Sequence, residues 1–447
     1  GVNAREIPLD DPETMRIFTS PEPLGVPDGD PIVGHTGTIG VPEFGTAFTR
    51  QMLVDTQPHE FATLVRLSGF SHGTDVWAGN IHDIVVNGIA PTDKCVGCRD
   101  DIMLYLIDMG MEPKRAFKFM EAVRKGAIHK GKPWPDGIVE EMQQLGVPEW
   151  WIESCRKIQY LFPKAHAVAY VTMAFRIAWF KVHEPLAYYS AYFYRRSQKD
   201  GFDAESMLQG IDKCLAKINA IRRNPNATAK EEDLLTTLEA VYEFYRRGFT
   251  FAPIDIYKSD SYKFLIEDGC LRPPFVAISG LGGSAAEDLK RAQDSGAKFV
   301  SIDDISDACP KVSTAHLDML RKLGALGDPS AGGGILLVER AFGRDESHDA
   351  SRPHQVERPR EEPIVHEQPL VPMAGIVDLV AAEGHVSHRD VERFVVEVCV
   401  LEAAVDDLRG RMEGAGDARG QAVELHADEA AARKRLRHGG EERARAA

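Results

Sequence analysis

The sequence predicts a mainly α-helical protein, and three observations carry that prediction. Apolar residues recur at helical spacing over 112–125 and again over about 231–247; an apolar run continues to about Phe193 with a single break at Glu184-Pro185; and Gly and Pro cluster between these segments. From Glu112 to Lys125 the apolar positions are Ala116, Phe117, Phe119, Met120 and Val123, with Lys114, Arg115, Lys118, Arg124 and Lys125 around them. This is a basic amphipathic helix, whose ordinary reading is a solvated face. Residues 126–137 (GAIHKGKPWPDG) form a loop by their Gly and Pro content, and Pro148-Glu149 opens another helix. A residue before proline is pushed out of the helical region, so Glu184-Pro185 divides the run that follows. The last of these helices sets Leu234, Leu235, Leu238, Val241, Tyr242 and Tyr245 on one side, and Gly248 suits its C-terminal cap.

At 447 residues, 43% hydrophobic and 27% charged, the chain has an ordinary globular balance, with room for two to four domains at roughly 100–200 residues each. No window holds the about 18 uninterrupted apolar residues of a helical membrane span, so no membrane partner is expected. Seven cysteines, odd in number and scattered, make no disulfide framework, and a reducing cytoplasm is the expected location. Cys95-Val-Gly-Cys98 lacks the second ligand pair of a structural zinc site, so no metal ligands are assigned in this chain. A net charge of −15 argues against adhesion of the whole chain to DNA, but it is unevenly spread: residues 329–447 carry −7, with 15 Arg, one Lys and no Tyr or Trp. The start at Gly1-Val2-Asn3, with neither Met nor signal peptide, is expected to be internal to a longer protein.

Chemistry concentrates in two places. In Tyr160 to His183 (YLFPKAHAVAYVTMAFRIAWFKVH), Pro163 can start a helix, which puts Lys164, His166 and Tyr170 in its first two turns. His166 and Tyr170, four apart, share a face. Unpaired N–H groups beside a Lys and a His suit an anionic phosphate, and an aromatic one turn on could support a base or sugar; on spacing alone, the same pattern is more often core. In Ala277 to Ala292 (AISGLGGSAAEDLKRA), apolar-x-Gly-Leu-Gly followed by a helix with Ala285, Ala286 and Leu289 is the pattern of a helix-hairpin-helix. There Gly280, Gly282 and Gly283 let the backbone approach a phosphate, with Lys290 and Arg291 adding charge. Such contacts hold duplex DNA without reading bases.

The segment FPKAHAVAYVTMAFRIAWFKVHEPLAYYSAYF resembles the nucleotide-binding fingers of bacterial family C replicative DNA polymerases, and the longer match is to the PolC type. IPLDDPETMRIFTSPEPLGV, GTIGVPEFGTAFTRQML, LVRLSGFSHGTDVW, GCRDDIMLYLIDMGMEP and VPEWWIESCRKIQY resemble the same family in the same order, covering about residues 5–328. The resemblance implies a helical fingers region over 1–200 and a duplex-binding region over 201–328, with the helix-hairpin-helix near 277–292. It places Arg99, Lys164 and His166 at the incoming triphosphate and Tyr170 in the same pocket, with Ser71 and His72 as further candidates. For Arg99 the plain alternative is a salt bridge to Asp100 or Asp101; for Ser71 and His72 it is a structural turn at Gly73.

The resemblance also implies magnesium-dependent transfer of nucleotides from dNTPs to a primer on a DNA template. The palm carboxylates that hold the metal are expected upstream of Ile7, so no catalytic residue is assigned here and the chain alone is expected not to polymerise. Asp10, Asp11, Asp100 and Asp101 read as helix N-terminal charge or surface ion pairs. The short tail by which the family docks on a sliding clamp is not seen after Leu326. Residues 329–447 read as a natural extension, irregular or partly helical over 389–437, or as translation in another reading frame; the loss of Tyr, Trp and nearly all Lys favours the second. Two other readings remain open at this point: a non-enzymatic helix-hairpin-helix DNA-binding module, and a structural helical protein.

Overall fold

A computed structural model describes residues 2–198 and 201–326; the reading of the 329–447 segment lies outside them. Among the described residues are sixteen α-helices: α1 (Pro12–Arg16), α2 (Ala47–Thr56), α3 (Phe61–His72), α4 (His82–Val86), α5 (Arg99–Asp108), α6 (Pro113–Arg124), α7 (Ile138–Gln144), α8 (Glu149–Lys157), α9 (Lys164–His183), α10 (Pro185–Ser197), α11 (Ala204–Met207), α12 (Ile211–Arg223), α13 (Ala229–Arg246), α14 (Gly283–Asp294), α15 (Ile302–Ala308) and α16 (Thr314–Lys322). A two-stranded antiparallel ribbon, β1 (Leu265–Glu267) with β2 (Cys270–Arg272), pairs Ile266 with Leu271. The mainly α class is therefore found as expected. The ribbon was not anticipated, although Asp268-Gly269, both at positive φ, is the two-residue turn that such hairpins favour.

Local chemistry explains the boundaries. Glu112 accepts hydrogen bonds from the N–H groups of Lys114 and Arg115, and Pro113 follows as the first residue of α6. Thr228 and Glu231 close a capping box at the start of α13, a device worth about 1 kcal/mol. Gly248, at φ +85°, turns the chain out after α13. Glu184 leaves helical geometry before Pro185 and so separates α9 from α10. On α6, Ala116, Phe119, Met120 and Val123 are buried, while Phe117, which the spacing grouped with them, faces water at 49% exposure.

Two apolar cores organise these elements. The first runs from Met15 to Ala277 and includes α9, whose Ala167, Val171, Ala174, Phe175 and Ala178 form one buried stripe against α1, α3 and α10. Residues 202–251 contribute Phe202, Phe244 and other side chains to this core. The second gathers Ile254, Phe275, Ile278, Leu289, Ile305 and Leu320 around α14 to α16.

Between α1 and α2 about thirty residues carry no α-helix, and side chains from distant helices hold them. Lys181 of α9 is fully buried and donates to the carbonyls of Gly37 (2.8 Å) and Ile39 (2.6 Å) as well as to Glu243 of α13 (3.0 Å). Glu243, also fully buried, accepts from the Tyr189 hydroxyl at 2.5 Å. The Tyr188 hydroxyl reaches the Ile39 carbonyl, and Arg247 reaches the Lys181 carbonyl. A second clamp joins Arg246 and Tyr242 to Asp30, whose other oxygen takes the N–H groups of Ile32 and Val33. Gly40 is required here: it sits at φ +72°, and a Cβ would lie 2.5 Å from the Tyr188 hydroxyl.

Burial pulls the Lys181 ammonium down to about 8 while Glu243 pushes the other way, the balance expected of a charge kept ionic by its partner. Removing one partner leaves the other buried without the group that balances it. Glu243→Leu is therefore expected to destabilise by about 3–5 kcal/mol, and Lys181→Met with Glu243→Leu by less than the single change, as read from urea unfolding midpoints.

Candidate functional site

Three helix ends meet around the start of α9. The last turn of α3 brings Ser71 and His72, the first turn of α5 brings Arg99, Asp100 and Asp101, and α9 opens with Lys164. Close backbone approach makes the junction possible: a Cβ on Gly69 of α3 would lie 2.3 Å from the Gly97 carbonyl oxygen. Asp101 fastens it. One of its oxygens accepts the N–H groups of Gly97 (3.0 Å) and Cys98 (2.9 Å) and an Arg66 guanidinium nitrogen (3.2 Å), and the other faces Lys164 Nζ at 3.4 Å. Asp100 accepts the backbone N–H of Lys164 at 3.3 Å and stands 3.9 Å from Arg99 Nε.

The cationic heads are therefore present but loosely held. Lys164 keeps 42% of its side chain exposed and Arg99 34%. Behind them runs an aromatic line in which the His72 ring lies 4.9 Å from Phe162, Phe162 5.9 Å from His166, and His166 6.5 Å from Tyr170. His72 Nε2 is 2.6 Å from a Glu43 oxygen; that hydrogen bond raises the His72 pKa above its ordinary value against the opposing effect of burial. Ser71 instead turns its hydroxyl back to the Ser68 carbonyl of its own helix. Pro163 is the residue before the first helical turn, so the first-turn N–H groups of Ala165 and His166 have no acceptor within the helix.

Lys164, His166 and Tyr170 thus gather with His72 and Arg99, while the Ser71 hydroxyl is engaged within its own helix. Sequence reasoning missed Arg66, Glu43 and Phe162. Phe162 lay inside the quoted segment; Arg66 and Glu43 reach the site only through tertiary contact. The adjacent acids do not fit a magnesium site: Asp101 is spent on four donors, and Asp11 caps Thr14 of α1 and binds His183 at 2.9 Å. Cys95 and Cys98 are buried, and burial pushes both thiols up to about 12, which suits packing and not metal ligation.

The second site is the turn before α14. A three-residue 3-10 turn, Phe275–Ala277, stands where a hairpin's first helix would be. Gly280 takes φ +82°, and Gly282 caps α14. His316 of α16 holds the Gly280 carbonyl at 2.9 Å. A Cβ on Gly282 meets nothing within 4 Å, whereas one on Gly283 would lie 2.5 Å from the Tyr262 hydroxyl. Gly282 and Gly283 line a cleft of about 340 Å³ with Ser197, Gln198, Tyr262, Val276 and Leu281. Lys290 and Arg291 lie about two turns down α14, paired with Asp294 and Asp288, so they stand away from the glycine turn.

Two segments, carrying Ser71, His72 and Arg99 of the first site and the glycine turn of the second, match known families. Residues 1–146 match the bacterial DNA polymerase III alpha subunit finger domain, and residues 248–331 match a helix-hairpin-helix motif. Over 328 residues, 73% of this chain, the sequence is 48% identical to the DNA polymerase III PolC-type of Thermotoga maritima. The chain belongs to the PolC-type DNA polymerase III family. The protein of that name in Bacillus subtilis is 48% identical over 331 residues and that in Bacillus cereus 47% over 329. The chain spans 23%, 22% and 22% of the lengths of these three relatives. Among the described residues no helix is long and apolar enough to cross a membrane.

The His72–Glu43 contact gives a direct test of the site's electrostatics. A raised folded pKa means that the contact stabilises fully below about pH 6.5 and is lost as pH rises through the higher folded value. NMR titration is expected to give His72 a midpoint above 6.5, falling in Glu43→Gln. A wild-type midpoint at or below 6.5 would show that the contact does not form.

Proposed function

We propose that this PolC-family chain supplies the nucleotide-facing and duplex-facing surfaces of a replicative DNA-directed DNA polymerase. The observation that carries the reading is the convergence of Arg99, Lys164, His166 and His72 on the open first turn of α9. Arg99 and Lys164 would neutralise the triphosphate of an incoming dNTP, exchanging their long contacts to Asp100 and Asp101 for phosphate oxygens. The first-turn N–H groups would add to that field, and His166 with Tyr170 would bound the pocket on the base or sugar side. Template–primer duplex would rest on the turn at Gly280 to Gly283, where the open space over Gly282 suits a phosphate.

Transfer itself needs metal chemistry, and magnesium would be held by palm carboxylates elsewhere in the longer protein, activating the primer hydroxyl and stabilising the leaving pyrophosphate. On this reading the chain alone does not extend a primer. It acts in the bacterial cytoplasm, in a nucleoid-associated replisome, with the sliding clamp docked through a different segment.

The test is kinetic and uses the chain joined to the palm-bearing part of a PolC polymerase. His166→Ala is expected to raise the KM for dNTP about tenfold or more with little change in DNA affinity, and an unchanged KM would count against the nucleotide site. In the same protein Gly282→Val is expected to weaken salt-dependent duplex binding with only a small drop in melting temperature, since a Cβ there meets no protein atom within 4 Å and the cost is confined to the N-cap of α14. Duplex affinity equal to wild type would remove the hairpin from the interface.

A further inference from the structure

A strongly basic surface that neither site uses lies on the outer face of α6 and the loop after it. Residues 112–132 hold seven Lys and Arg against two Glu in a chain of net charge −15. At 100° per residue, Lys114, Phe117, Lys118, Glu121 and Lys125 fall opposite the buried Ala116, Phe119, Met120 and Val123. Neither Glu offsets the patch where it is most basic. Glu112 is engaged in capping α6, and Glu121 is held by Arg124 at 2.9 Å and by Lys125 at 3.2 Å. Lys114 and Lys118, with Lys130 and Lys132 in the loop, are exposed and make no ion pair among the described residues. Between Lys114 and Lys118 stands Phe117, 49% exposed.

We infer that this face binds single-stranded DNA. Uncompensated Lys114 and Lys118, about 6 Å apart along the helix, together with Lys130 and Lys132 in the loop, attract a phosphate backbone, and an aromatic ring set beside them offers a surface on which an unpaired base can stack. A duplex presents phosphates but keeps its base faces covered, so it would leave Phe117 unused. An acidic peptide without aromatic residues would use the lysines and bring no ring to stack. The inference stands on these observations and not on the nucleotide site; if the chain works as proposed above, the bound strand is the unpaired template.

The test is fluorescence anisotropy of labelled oligo(dT) with the full chain, melting curves being taken for every variant. Lys114→Glu with Lys118→Glu is expected to weaken oligo(dT) binding tenfold or more and to flatten its salt dependence. Phe117→Ala is expected to cost about tenfold with the salt dependence unchanged, and Phe117→Trp to keep wild-type affinity. Duplex binding, which Gly282→Val addresses, should be unaffected by any of the three, so failure here and failure of the duplex reading are separate results. Oligo(dT) affinity unchanged in both the lysine and the Phe117→Ala variants would overturn the inference. So would polyglutamate binding as tightly as oligo(dT) and indifferent to Phe117→Ala, which would make the face a dock for an acidic protein.

Discussion

The buried ion pair between Lys181 and Glu243 is the constraint on which the rest of this fold depends. Two charges withdrawn from water are tolerated only when every donor and acceptor is met, and here the ammonium is met by Glu243 and by the carbonyls of Gly37 and Ile39. Those partners come from α13 and from a segment without helix of its own. A single side chain therefore fixes where α9, α13 and the 37–40 loop meet. Tyr189, Tyr188 and Arg247 complete the set, so α10 is tied to the same point. Lys164 lies seventeen positions before Lys181 on one continuous helix, about 26 Å along its axis. Anchoring the far half of α9 is what allows its first turn to be presented to α3 and α5 at a fixed height.

That first turn is charged and yet balanced. Asp100 and Asp101 stand where an anion would bind, one on the backbone N–H of Lys164 and one on its side chain. The contacts to Arg99 and Lys164 are long and partly exposed, so they contribute little to stability, and on the proposed reading they would be exchanged for phosphate oxygens. The contacts from Asp101 to Gly97, Cys98 and Arg66 are short and shielded, and they hold the junction in either state. Under the proposed function the same acid pair would serve structure on one side and a displaceable counterion on the other; its donors on Gly97, Cys98, Arg66 and Lys164 make it unsuited to magnesium.

Much of this was legible in the sequence, for identifiable reasons. Helices α6, α8, α9, α10 and α13 declare themselves through apolar spacing and through Pro113, Pro148, Pro185 and Gly248 at their ends. The glycine turn before α14 is equally local. What could not be read depends on distant partners: Lys181 looks like one cation in a long apolar run, and nothing near it announces Glu243. Arg66 and Glu43 are ordinary until tertiary contact brings them to Asp101 and His72. Phe117 was grouped with the apolar positions of α6, although it is exposed, because spacing identifies a face only to within one residue at its edge. Lys290 and Arg291 illustrate the converse, since nearness in sequence to a glycine turn does not bring a side chain to it when an intervening helix carries it two turns away.

The most direct measurement is a structure of an intact PolC polymerase carrying this segment, bound to template–primer and an unreactive dNTP analogue. The account predicts triphosphate oxygens within hydrogen-bond distance of Arg99 and Lys164, with the Lys164–Asp101 contact opened and Lys181–Glu243 unchanged. A triphosphate bound elsewhere, with the Arg99 and Lys164 contacts to Asp100 and Asp101 still closed, would contradict it.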